Sequence, residues 1–301
     1  MNTMEKTAQQ AKYQTNESLL EGLREKGIVM LECPFDDATL ARWNTILDPE
    51  FAKQGDIHRA YVSPPDLLRL GIFDEYWSPK MRSLVQSIMP DAVIETFDCY
   101  ENKGGQSEED MYDEVNSEWH RDIHNLPGIA SREPMYCSIF IYLSDVVPGS
   151  GGFEIRPKDP DIAISDKDEA LNVQGKIGTT FLWNRSFYHR SSMNRSAHRR
   201  RVFKLSVQHN YLENSSLKAQ VFDPLRASEK VKNDPYLKFL LGGSHISTHN
   251  GYLMPGEGDE IVEPKALPAA NTAAQLGKGR ELYRRTRRFI KRKILGKAAK
   301  G

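Results

Sequence analysis

Apolar positions in the first ninety residues recur at helical spacing. Asn16 or Ser18 stands where a helix N-cap belongs, Leu19, Leu20 and Leu23 follow, and Gly27 closes the pattern. Residues 28–32 (IVMLE) read as a strand, and 35–47 resume a helix with Leu40, Trp43 and Leu47 on one side. The helical pattern returns over 66–89, interrupted at Ser78-Pro79. From about residue 92 the character changes. The stretches VIETFDCYE, MYCSIFIYL (135–143), GTTFLW (178–183) and VFKLSVQHNY (202–211) are short, aromatic and β-branched. Asn102-Lys103-Gly104-Gly105, Leu126-Pro127-Gly128 and Pro148-Gly149-Ser150-Gly151-Gly152 separate them as turns. Helices followed by a run of strands predict a mainly β fold, an antiparallel core with flanking helices. Without βαβ alternation, a doubly wound parallel sheet is not expected.

The pattern divides the chain into four stretches. Residues 1–16 are polar and expected to be flexible, and 17–263 form a single domain whose last part, from 212, looks irregular. Residues 264–277 read as a linker, and 278–301 as a basic tail able to form one helix. There is no internal repeat. At 301 residues and 34.3 kDa the chain can bury a sizeable core.

Composition changes this picture little. Basic and acidic residues number 41 each, so net charge gives no reason to expect a nucleic-acid or membrane partner. Cys33, Cys99 and Cys137 are far apart and form no CxxC pair, which argues against a disulfide scaffold or zinc-thiolate site and fits a reducing cytoplasm. The polar N-terminus lacks the apolar region of a signal peptide, and no apolar run is long enough to span a membrane.

Candidate chemistry begins at WHRDIHN (119–125). In an extended segment, residues two apart share a face, so His120 and Asp122 project side by side and Arg121 points away. An imidazole and a carboxylate so placed supply two of the three ligands of a 2-His-1-carboxylate metal site. His124 has the same parity and competes as a ligand, although Asn125-Leu126-Pro127-Gly128 suggests that the chain turns there. Among the remaining histidines, His189 stands out because it lies between two expected strands and after a Gly-rich turn.

His120-x-Asp122, then His189-x-Ser191-x-x-Asn194 and Arg200, eleven positions after His189, together resemble the phytanoyl-CoA dioxygenase-like branch of the Fe(II)/2-oxoglutarate oxygenases. YCSIFIYLSDV, PGSGGFEIRP, GTTFLWN and LLEGLREKGIVML are similar to the family's strands, turn and opening helix-strand, so the likeness runs over 19–211. The resemblance implies a double-stranded β-helix (jelly-roll, cupin-like) core. It implies Fe(II) held by His120, Asp122 and His189, with 2-oxoglutarate and O2 as cosubstrates. Arg200 would bind the far carboxylate of 2-oxoglutarate, for which a guanidinium offers an always-charged fork.

Three arginines are adjacent, and strand parity separates them. Phe203, Leu205 and Val207 mark an apolar face, and Arg200 falls on the opposite, more polar one with Val202, Ser206 and Gln208. Arg199 and Arg201 share the apolar parity and are expected to reach solvent at the strand end, with Arg201 retained as an alternative anchor. By the same resemblance Ser191 would donate to the cosubstrate, and Asn194 would order the turn or contact it. Lys103 would be a basic contact, and Trp119 and Tyr142 would flank the site. Halogenating relatives replace the carboxylate held here by Asp122. Its presence implies hydroxylation of a C–H bond in a small or lipid- or saccharide-type substrate, releasing succinate and CO2. The alternative is a zinc hydrolase on the same triad, or a non-catalytic jelly-roll protein acting through its tail. The Arg200 spacing argues against the first and the intact triad against the second.

In the tail, Arg280, Arg284, Arg285, Arg287, Arg288, Lys291, Arg292 and Lys293 surround Leu282, Phe289, Ile290, Ile294 and Leu295. A helix here would carry a narrow apolar stripe in a cationic surface, suited to an anionic membrane. A solvated tail is the plainer reading, and no aromatic stacking motif supports nucleic acid. A cytoplasmic enzyme, peripheral at the inner face of the membrane, is the resulting expectation.

Overall fold

The structure is a computed structural model that describes residues 16–55, 57–107, 118–123, 129–210, 212 and 221–242. The N-terminal part is helical. Helix α1 (Asn16–Lys26) leads into strand β1 (Ile28–Leu31), and α2 (Asp37–Ala52) follows, capped by Asp36, whose Oδ1 accepts from the Thr39 N–H at 2.7 Å. Strand β2 (Arg59–Val62) was not anticipated. The helical pattern of 66–89 resolves into α3 (Pro64–Arg69), α4 (Ile72–Tyr76) and α5 (Pro79–Ile88). Gly71 at φ +76° ends the first of these, and Ser78 with Pro79 starts the third as N-cap and first turn.

Six further strands, β3 (Ala92–Asn102), β4 (Tyr136–Tyr142), β5 (Phe153–Ile155), β6 (Leu171–Val173), β7 (Thr180–Asn184) and β8 (His189–Ser191), are followed by the long β9 (Arg200–His209). They form an antiparallel six-stranded sheet, β1-β7-β4-β9-β3-β2, and a three-stranded antiparallel sheet, β6-β5-β8. The fold is a jelly roll of these two sheets. Side chains alternate across the large sheet as strand geometry demands. Phe97, Cys99, Ile139, Ile141, Leu182, Phe203 and Leu205 face the helices, where Trp43, Tyr76 and Leu67 complete the outer core. Tyr100, Phe140, Tyr142, Phe181, Trp183 and Val202 face the small sheet and pack with Phe153 and Ile155. The site lies at one end of this inner layer.

Residues 221–242, expected to be irregular, contain three short helices, α6 (Asp223–Arg226), α7 (Glu229–Lys232) and α8 (Pro235–Leu240). Ser228 caps α7 and Asp234 caps α8, each through a side-chain oxygen. The polar and proline residues that suggested loops are here helix starts. The linker, the basic tail and His124 lie outside the described residues. Among those described, no helix is long and apolar enough to cross a membrane.

Candidate metal and cosubstrate site

The HxD segment is held against β8 by main-chain pairing. The His120 N–H donates to the His189 carbonyl at 3.1 Å and the His189 N–H returns to the His120 carbonyl at 2.9 Å. The two imidazoles are thereby adjacent, with ring centroids 4.4 Å apart. Each Nδ1 sits on a backbone carbonyl, Glu118 at 2.7 Å for His120 and Phe187 at 2.9 Å for His189. A carbonyl can only accept, so in the neutral ring Nδ1 carries the hydrogen and Nε2 is left with its lone pair. Both Nε2 atoms lie 3.6 Å from Asp122 Oδ1. The ligand atoms of His120, Asp122 and His189 all fall within 4.8 Å of one another, a donor set that fits a divalent cation.

Charge is distributed to suit. Burial works to raise the Asp122 carboxyl, but the Arg185 guanidinium and the two histidines outweigh it and hold the group well below the ordinary carboxylate range. Burial lowers His189. At His120 burial also lowers, but Asp122 and the Glu118 carbonyl prevail and the net shift is upward. Trp183 packs on His189 with centroids 4.3 Å apart, and Phe153, itself 4.8 Å from Trp183, lies beside them, 5.7 Å from His189 and nearly parallel to it.

A cavity of about 90 Å³ opens from the triad, several times the roughly 10–15 Å³ that one water needs. Phe140, Phe153 and Trp183 form its apolar wall, and Arg200 and Ser191 lie along it. Arg200 is 1% exposed. Its guanidinium donates to the Gly151 carbonyl and, at 2.8 Å, to Ser191 Oγ, and it faces the Tyr100 ring. No described carboxylate pairs with it, and its Nε is buried without a partner. Arg201 contrasts with this. It is fully buried rather than solvent-exposed, which corrects the sequence expectation, because Glu101 at 2.6 Å and Asp48 at 2.8 Å neutralise it on the helix side of the sheet. Arg199 does reach solvent.

The other expected residues are placed as follows. Ser191 Oγ accepts from Arg200, so its own hydrogen is left to donate into the cavity. Asn194 is buried in the turn, where its side-chain amide donates to the His198 carbonyl at 2.7 Å and its N–H to Gln106. Lys103 reaches away from the cavity to the Gly55 carbonyl. Tyr142 is in the inner core, its hydroxyl donating to the Val173 carbonyl. Trp119 is clamped between the Arg156 and Arg190 guanidinium groups, 4.2 and 4.6 Å from its ring centre. Sequence reasoning did not single out Asp98, Lys204 and Arg59, which also line the cavity, or Arg185 behind Asp122. Asp98 and Lys204 are cross-strand partners between β3 and β9. The available signal was a lone charge in an apolar strand, at the same parity as Arg200.

Comparison with known proteins identifies the family and the fold. The phytanoyl-CoA dioxygenase (PhyH) family profile matches residues 17–202. No curated protein matches the chain. Among solved structures, the non-haem α-ketoglutarate-dependent epimerase SnoN from nogalamycin biosynthesis superposes with a TM-score of 0.56 at 14% identity, over 80% of this chain and 96% of that one. The carbocyclase SnoK of the same biosynthesis gives 0.51 at 14%, over 67% and 89%. EvdMO1 gives 0.51 at 18% over 64% of this chain, and the match spans only half of EvdMO1. At these identities the structures speak for the fold. The family profile, covering most of the chain, carries more: this protein belongs to the phytanoyl-CoA dioxygenase family and is an Fe(II)-, 2-oxoglutarate- and O2-dependent oxygenase.

Proposed function

We propose that the protein hydroxylates a C–H bond of a small substrate at an iron held by His120, Asp122 and His189, with Arg200 and Ser191 binding 2-oxoglutarate. The observation that carries this reading is Arg200, a buried guanidinium without a carboxylate, on the same cavity as the triad. A buried cation needs an anion, and the far carboxylate of the cosubstrate supplies one. When bound, Fe(II) with 2-oxoglutarate and O2 supplies a two-electron oxidation: the cosubstrate becomes succinate and CO2 with one oxygen atom, and the other enters the substrate.

The chain's own residues orient and shield. The two Nδ1–carbonyl contacts fix which ring nitrogen faces inward. Phe140, Phe153 and Trp183 give the cavity an apolar wall beside the triad. Asp98 and Lys204 give the cavity a polar wall, which suits a substrate carrying polar groups. We also propose that residues 278–300 attach the chain to an anionic membrane surface, on the basis of their basic and apolar composition.

The purified protein with Fe(II) is expected to form succinate from 2-oxoglutarate, slowly even without substrate, and His189→Ala to abolish this. Arg200→Met should raise the KM for 2-oxoglutarate by about 30-fold or more, the effect of stranding a buried charge partner. Anaerobic calorimetry showing no 2-oxoglutarate binding to the metal-loaded protein would defeat the reading.

A further inference from the structure

Asp122 has two carboxylate oxygens, and they face different neighbours. Oδ1 is the atom shared by the triad, 3.6 Å from each histidine Nε2. Oδ2 accepts a hydrogen bond from Arg185 Nε at 2.9 Å. Arg185 also takes the Asp122 main chain, its carbonyl accepting the Asp122 N–H at 3.3 Å. One residue thus grips Asp122 at both backbone and side chain.

Arg185 is itself fixed. It is 5% exposed, in the turn between β7 and β8, and its N–H donates to the Tyr136 carbonyl at 3.0 Å. Its terminal nitrogen donates to Glu95 Oε2 at 2.6 Å, and the Glu95 side chain is 6% exposed. Thr96 Oγ1 donates to that same oxygen at 2.6 Å. Glu95 owes its position to a register shift in β3 between Ile94 and Thr96. An extra residue at such a bulge re-aims a side chain that regular alternation would send elsewhere. Two charged side chains are therefore buried together behind a ligand, at a desolvation cost that makes them a poor device for stability alone.

We propose that Arg185, clamped by Glu95, is a positioning residue that holds Asp122 as a one-oxygen metal ligand. With Oδ2 engaged, Asp122 occupies one coordination position instead of two, and the remaining positions stay open for cosubstrate and O2. Glu95 offsets part of the charge of Arg185, so a metal at Asp122 meets less repulsion than a lone guanidinium would give. The assignment rests on the reading of His120, Asp122 and His189 as the metal site.

The test is the affinity of the full chain for Mn(II), measured by calorimetry, because its sign separates positioning from simple charge. Removing a cation near a divalent metal should tighten binding if Arg185 acts only through its charge. Positioning predicts the reverse, a 10- to 100-fold weakening in Arg185→Met, as loss of a ligand's outer partner typically brings. Arg185→Lys, which keeps one donor, should recover about tenfold of that loss. Glu95→Gln, which keeps an acceptor but leaves Arg185 uncompensated, should weaken Mn(II) by a smaller factor, and it carries the test if Arg185→Met does not fold. Affinity unchanged or tighter in a folded variant overturns the inference. If the wild-type chain binds Mn(II) no better than His189→Ala does, the metal-site reading fails first.

Discussion

At the scale of single residues, Asp98 is a carboxylate on the cavity wall whose environment works against its charge. It sits on the cavity wall with Oδ1 buried and without a hydrogen-bond partner, and burial pushes its carboxyl up to about 6 despite Lys204 and Arg59 nearby. Its unfolded value is the ordinary 3.8. Between those values the folded chain binds more protons than the unfolded chain, so Asp98 makes stability fall as pH rises through this window. Asp98→Asn has no such slope. Urea unfolding should show the variant gaining on the wild type between pH 4 and pH 7 by on the order of 2 kcal/mol. A difference that is the same at both pH values would mean that the carboxyl is not held this way. The cavity retains an acidic group at that expense to stability, as expected of a side chain kept for a ligand and not for the fold.

Among the elements, the turn before β5 shows how local backbone sets the cosubstrate pocket. Gly151 has φ +79°, and a Cβ there would come within 2.9 Å of Asn194 Cβ and 3.0 Å of the Ser192 carbonyl. Gly149 has φ +83° with nothing within 4 Å. Gly149→Ala should therefore cost only the backbone strain, about 1–2 kcal/mol in denaturant unfolding. Gly151→Ala should cost more and also raise the KM for 2-oxoglutarate, because its carbonyl holds Arg200. Equal losses and unchanged KM would count against that link. The same turn marks the limit of sequence reading. The long strands β3, β4, β7 and β9 were legible because each carries enough aromatic and β-branched residues to show its period. Strands β5, β6 and β8 have three residues each, too few for any period, and His189, expected between two strands, instead opens β8. The pairing of His120 and Asp122 was suggested by their parity, and Arg200 by the family resemblance, with strand parity choosing it among three adjacent arginines. Arg185 was not, since it meets Asp122 across 63 residues by tertiary pairing alone. The solvent-exposed reading of Arg201 failed for a related reason: parity tells which face a side chain takes, not whether Glu101 and Asp48 wait there.

For the whole molecule, the layered core and the site account for the chain up to Leu241, and the family match ends earlier, at 202. Oxygenase activity should therefore survive removal of everything after residue 276. What that truncation is expected to change is attachment to a surface. Each Lys or Arg close to an anionic membrane contributes about 1 kcal/mol, and the eight crowded between Arg280 and Lys293 could together supply several, before Leu282, Phe289 and Leu295 bury any apolar area. The full chain should co-sediment with phosphatidylglycerol vesicles but not with phosphatidylcholine ones, and salt should release it, because the attraction is screened within about 10 Å at 0.1 M ionic strength. The 1–276 form should stay in the supernatant while forming succinate at the same rate. Equal sedimentation of the two forms would remove the membrane from the function. Loss of succinate formation in the shorter form would instead make the tail part of the oxygenase.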